Sequence, residues 1–136
     1  MSNNIRTVSV DWVGGMRFQG GAPGGPQTTV DADTGVAPGP MQFLLIAAVG
    51  CAGADIVSIL EKMQVKLTKL HTEAIGTRAE DHPRKYVAIT LRFTFAGEGL
   101  DRNKAERAVS LSVTKYCSVI QSLDPATPIT TEIVIE

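Results

Sequence analysis

The sequence predicts an α+β fold that runs from short strands through a long apolar helix and a hairpin to a second helix and a last strand. Three observations carry that expectation. Apolar and polar residues alternate with period two near the start, the middle and the end of the chain. A long apolar run centred on FLLIAAVGCAGA has helical length, and a shorter amphipathic stretch follows Asp101. A chain of 136 residues, 43% hydrophobic and 20% charged, suits one domain over residues 1–136 with a sizeable core.

Taken in order, residues 5–12 alternate Val8, Val10 and Trp12 against Thr7, Ser9 and Asp11, the pattern of a half-buried strand with Trp12 anchored in the core. Gly14 and Gly15 supply a turn. Residues 16–19 and 28–31 read as two short strands around the loop GGAPGGPQ. The loose stretch DADTGVAPGP ends at Pro40, a residue suited to the first turn of a helix.

The first helix is expected over residues 41–63. Its half from Met41 to Ala54 is apolar on every face, so it needs cover on all sides. Ala47, Gly50 and Ala54 mark a groove where another helix can approach, with Cys51 on its border. The uncharged stretch Phe43–Ala54 is about a dozen residues, shorter than a bilayer crossing needs.

Strands follow over residues 65–79 and 85–96, joined by a hairpin at EDHPR. In the second, Val87, Ile89, Leu91, Phe93 and Phe95 share one face, and Tyr86, Ala88, Thr90, Arg92 and Thr94 the other. Asp101 reads as the N-cap of a second helix whose stripe is Ala105, Ala108, Val109, Ser112, Val113 and Tyr116, with Cys117 at its end. Pro125 and Pro128 stop helical structure, and residues 129–135 alternate as a last strand.

A formal net charge of −1 with scattered charges offers no basic stripe, so nucleic acid and anionic membrane are not expected partners. The N-terminus has no secretory-signal pattern, and the expected location is the cytoplasm. Two cysteines far apart in sequence form neither a disulfide framework nor a zinc motif, and His71 and His82 do not add one; no metal or cofactor is expected. One curled sheet and one partner helix leave part of the first helix uncovered, which points to an intertwined homodimer.

The segments AAVGCAGADIVSILEKM, HPRKYVAITLRFTFAGEGLDRNKAERAVSLSVTKYCSVIQSL and PITTEIVIE resemble the OsmC and Ohr family of small thiol peroxidases, most closely its OsmC-like branch. The sharpest marks are GC at Gly50 and Cys51 and YCSV around Cys117. The resemblance implies a strongly curved antiparallel sheet around two central helices, in an intertwined homodimer that reduces organic hydroperoxides without a cofactor. It assigns Cys51 as the peroxidatic thiol and Cys117 as the resolving one, with a thiol or dithiol reductant resetting the pair. It also implies an activating arginine from an early strand, for which Arg17 is the candidate by location, steadied by a glutamate ten residues before the first cysteine. That position holds Met41, and Gln42, Arg84 and Arg92 are the candidates to substitute within that arginine and glutamate pair.

Each singled-out residue also has a structural reading. Either cysteine can be a core filler, Asp55 a loop cap or the partner of a basic residue across the dimer, and His82 a solvated turn residue. Two other functions stay open beside the peroxidase. One is a non-enzymatic dimer that binds a small hydrophobic molecule; the other is a redox sensor that signals through a Cys51–Cys117 disulfide.

Overall fold

The computed structural model describes residues 4–136. Residues 1–3, the head of the polar N-terminus and of the expected 1–136 domain, lie outside the described residues. The chain divides into two compact units, Met1–Leu44 and Leu45–Glu136.

The first unit holds a three-stranded antiparallel sheet, β1 (Ser9–Trp12), β2 (Arg17–Gly21) and β3 (Gln27–Asp31), in that order. Trp12 pairs with Phe18, and Phe18 with Val30. Gly20 permits the tight β1–β2 pairing, because a Cβ there would run into the backbone of Ser9 and Val10. The expected burial fails: Val8, Val10 and Trp12 are all exposed, Trp12 at 68%, and the indole N–H donates to Gly15 O at 2.9 Å. Trp12 is therefore no core anchor within this chain. Beyond β3, the buried Asp31 carboxylate folds DADTGVAPG around itself by accepting from the backbone N–H groups of Asp33, Gly35 and Val36 at 2.9–3.0 Å.

Helix α1 (Pro40–Lys62) starts with Pro at its first position and with Gln42 Oε1 accepting from Gly39 N at 2.9 Å, the reach-back of a capping box. It ends in a Schellman turn. Gln64 takes φ 63°, Gln64 N bonds Glu61 O, Val65 N bonds Leu60 O, and both apolar partners, Leu60 and Val65, are buried. At 23 residues, α1 is long and apolar enough to cross a membrane by length and composition alone, a test that the apolar core helix of a folded domain also passes. Its buried residues form a single stripe, Ala48, Ala52, Ile56 and Leu60, whereas Leu44, Ile46 and Val57 are exposed.

The second unit carries β4 (Lys66–Arg78), β5 (Tyr86–Glu98) and β6 (Ile129–Ile135), with β5 in the middle. The β4–β5 hairpin is antiparallel, but β5 and β6 run parallel, which departs from an all-antiparallel sheet. The reason lies in the connection: α2 (Arg102–Leu111) intervenes, and a helical crossover returns the chain in the same direction. Ile89, Leu91, Phe93 and Phe95 are buried as alternation predicts, with the two phenyl rings stacked at 6.3 Å. Tyr86 and Val87 are reversed. A register shift at Thr77/Arg78 leaves Val87 unpaired, so Tyr86 turns into the core and Val87 turns out. Asp101 caps α2 as predicted, its Oδ1 accepting from Lys104 N at 2.8 Å.

After Leu111 the helix widens into a π turn (Ser112–Tyr116), in which Cys117 N bonds Ser112 O at 2.8 Å. A single helical turn, α3 (Ser118–Gln121), follows. The predicted apolar stripe therefore stops at Ser112. The extra residue carries Tyr116 out to 52% exposure and brings Cys117 in.

Candidate functional site

Cys51 and Asp55 stand one turn apart on α1, and both are half-buried. Facing them are Ser112 and Cys117 at the two ends of the π turn, both fully buried. Ser112 Oγ lies 3.2 Å from Ala52 O and 3.2 Å from Asp55 Oδ2, so its one proton is shared between a carbonyl and a carboxylate. Cys117 Sγ donates to Ala48 O at 3.9 Å and accepts from Ile120 N at 3.5 Å. The two elements thus run antiparallel, pairing Ala48 with Cys117 and Ala52 with Ser112. A four-residue step on α1 matches a five-residue step on the π turn.

Alanine at 48 and 52 is what allows that approach, because a larger side chain there would hold the second element off the α1 carbonyls. The sequence pattern points to Ala47, Gly50 and Ala54 for this contact. Those three are exposed, a Cβ on Gly50 would meet nothing, and the neighbouring helical stripe does the packing.

The Sγ atoms of Cys51 and Cys117 and a carboxylate oxygen of Asp55 all lie within 4.8 Å of one another. Both cysteines are free thiols. Burial pushes the Cys117 thiol up to about 11; the Ile120 N–H opposes this, and the hydrogen bond and charge of Cys51 add to it. Beside Asp55, an open hollow of about 520 Å³ is lined by Asp55, Ser58, Ile59, Lys62, Leu111 and Tyr116.

The nearness of Cys51 and Cys117 agrees with the sequence reading, whereas Asp55 meets the Ser112 hydroxyl and not the loop backbone or basic residue expected for it. Ser112, which bridges to Asp55, falls in the predicted apolar stripe, and its polarity at a stripe position is the one signal of a further role. Arg17 belongs to the first unit, in β2 opposite Asp31, where its charge helps the backbone N–H of Val36 hold the Asp31 carboxyl below the usual range. Of the residues offered as substitutes, Gln42 caps α1 and Arg92 bonds Glu73 at 2.6 Å and Glu132 at 2.8 Å, while Arg84 lies in the β4–β5 connection, where its backbone carbonyl accepts from Arg78 Nε. His82 is exposed in the β4–β5 connection.

Residues 32–132 match the model of the OsmC-like protein family. The chain is 39% identical over 122 residues to protein YhfA of Escherichia coli K12, covering 89% of this chain and 91% of that protein. A hypothetical protein from Aquifex aeolicus has a similar structure, with TM-score 0.88 and 26% identity over 98% of this chain and 97% of its own. The organic hydroperoxide resistance protein OhrB of Bacillus subtilis shares the fold at TM-score 0.62 and 14% identity, over 99% of this chain and all of that one.

Proposed function

The chain belongs to the OsmC-like protein family, and on that premise we propose that it is a cysteine-based peroxidase for organic hydroperoxides, working as one OsmC-like domain in a cytoplasmic homodimer. The observation that carries this reading is the convergence of the Cys51 and Cys117 sulfurs from α1 and the π turn. Two thiols that close can pass from dithiol to disulfide with little backbone movement.

Cys51 is the attacking thiol in this scheme. It is half-buried, whereas Cys117 is fully buried with its thiol proton held to about 11. The Cys51 thiolate attacks the terminal peroxide oxygen, the O–O bond breaks, the alkoxide leaves as an alcohol after taking a proton, and Cys51 becomes a sulfenic acid. The Cys117 sulfur then displaces hydroxide from that sulfenic acid, water departs and the disulfide forms. A thiol or dithiol reductant returns both thiols, and no cofactor enters. The hollow beside Asp55, with Ile59, Leu111 and Tyr116 in its wall, suits an alkyl group better than a bare hydrogen peroxide molecule. Arg17 is proposed, from its place in the family pattern, to favour the Cys51 thiolate despite Met41 at the glutamate position.

Homodimerisation is supported by the exposed apolar positions of β1 and α1 and by the open stripe Ala47, Gly50, Ala54. The structural relative from Bacillus subtilis is named for organic hydroperoxide resistance, which agrees with the substrate class proposed for this chain.

The test is to mix reduced protein with an equivalent of alkyl hydroperoxide and follow free thiols and intact mass. Loss of both thiols and two hydrogens, faster than with hydrogen peroxide and absent in Cys51→Ser, supports the peroxidase. Thiols that stay reduced for minutes overturn it. Fast disulfide formation without turnover in the presence of reductant assigns a redox sensor instead.

A further inference from the structure

We propose that Cys51, Cys117 and Asp55 form a binding site for a thiophilic divalent cation of the zinc class. This inference concerns the same side chains as the peroxidase reading but does not rest on it. The spacing of cysteines and histidines in the sequence contains no metal motif; the fold assembles the donors. Three ligand atoms, two sulfurs and a carboxylate oxygen, lie within 4.8 Å of one another. Zinc takes thiolate sulfur at about 2.3 Å and carboxylate oxygen at about 2.1 Å, so its tetrahedral ligands stand roughly 3.5–4 Å apart. Small rotamer adjustments cover the difference.

Two features beyond proximity favour the site. Cys51 and Asp55 sit at i and i+4 on one face of α1, the arrangement by which a helix presents two ligands to a single zinc ion. The Asp55 carboxylate is oriented by Ser112 Oγ at 3.2 Å, the kind of outer hydrogen bond that fixes a metal-ligating carboxylate. When a cation takes Asp55, the Ser112 proton still has Ala52 O as acceptor at 3.2 Å, so occupancy leaves no buried hydroxyl unpaired.

Charge balance points the same way. As ligands, two thiolates and one carboxylate offer three negative charges to a divalent cation, so a bound ion leaves no uncompensated positive charge in the site. Three protein ligands leave a fourth position for water or a small anion. Because the cation uses both thiolates, it and the Cys51–Cys117 disulfide exclude each other.

The experiment is anaerobic titration of Co²⁺ into the reduced, metal-free protein, read as thiolate-to-cobalt charge transfer in the near ultraviolet, with proton release followed in parallel. The expected result is saturation at one Co²⁺ per chain with two protons released, displacement by Zn²⁺ and none by Mg²⁺. Asp55→Asn keeps both sulfurs and is expected to weaken binding by at least about tenfold, and Ser112→Ala by about tenfold. Absence of the charge-transfer band in wild-type protein overturns the proposal, as does a band of full intensity in Cys117→Ser or unchanged affinity in Asp55→Asn. If a variant fails to fold by circular dichroism, the wild-type stoichiometry and proton count decide alone. Thiol loss to alkyl hydroperoxide is scored separately on metal-free protein, so failure of one reading is not mistaken for failure of the other.

Discussion

Two three-stranded sheets of similar alternating sequence meet different fates. In β4–β6 the alternate residues Ile89, Leu91, Phe93 and Phe95 are 0–2% exposed, while in β1–β3 the alternate residues Val10, Trp12 and Phe18 are 38–68% exposed. All the buried apolar side chains among the described residues fall between Ala48 and Ile120. Alternation reports that a strand has two unlike faces. Whether the apolar face is covered depends on what else the chain can lay over it, and only the second unit has α2 and its own long strands for that purpose.

The largest test of the contrast is Phe93→Ala, expected to lower unfolding free energy by about 3–5 kcal/mol in urea denaturation, because it empties space in a closed core. Next comes Asp101→Ala, which removes the cap of α2 and should cost about 1 kcal/mol in the same assay. Trp12→Ala should change unfolding of dilute, monomeric protein by less than about 0.5 kcal/mol, since its ring has little cover to lose. In sedimentation, however, the same variant should shift the protein toward monomer. A large unfolding cost for Trp12→Ala with no change in association would erase the distinction between the two sheets.

The two units should also fail at opposite ends of the pH scale. Asp31 has its carboxyl held below 3.8, so its stabilisation is present above that value and lost as pH falls through the folded pKa; protection of the Gly35 and Val36 amides, taken relative to their intrinsic exchange rates, should fall in acid. Cys117 has its thiol raised from 9.0 to about 11, so between those values the unfolded chain releases a proton that the folded chain keeps. Stability of the reduced protein should therefore fall as pH rises through that window, and Cys117→Ala should flatten the decline. A decline of equal size in Cys117→Ala would assign it to another group.

Much of this architecture is readable in the residues. The bounds of α1, the Asp101 cap and the strand over residues 129–135 follow from local chemistry: an entering proline, a capping side chain, a clean alternation. What is not readable depends on partners distant in sequence. The reversal of Tyr86 and Val87 comes from a bulge set by β4, and the parallel pairing of β6 from where α2 returns the chain. For the site, the family resemblance indicates the two cysteines. The choice of Ala48 and Ala52 over Ala47, Gly50 and Ala54 needs the rotation of α1, and the bond from Ser112 to Asp55 needs the π turn.

That π turn makes the site sensitive to helical phase as well as to residue type. In a regular α-helix the residue five places after Ser112 stands about 140° round the axis from it, whereas the wider turn returns Cys117 to the face of Ser112. A change that kept the length but let the segment close on a four-residue ladder would present Tyr116 on that face and swing the second sulfur about 100° away. Such a change would act as a phase error, silencing the pair while leaving its composition intact.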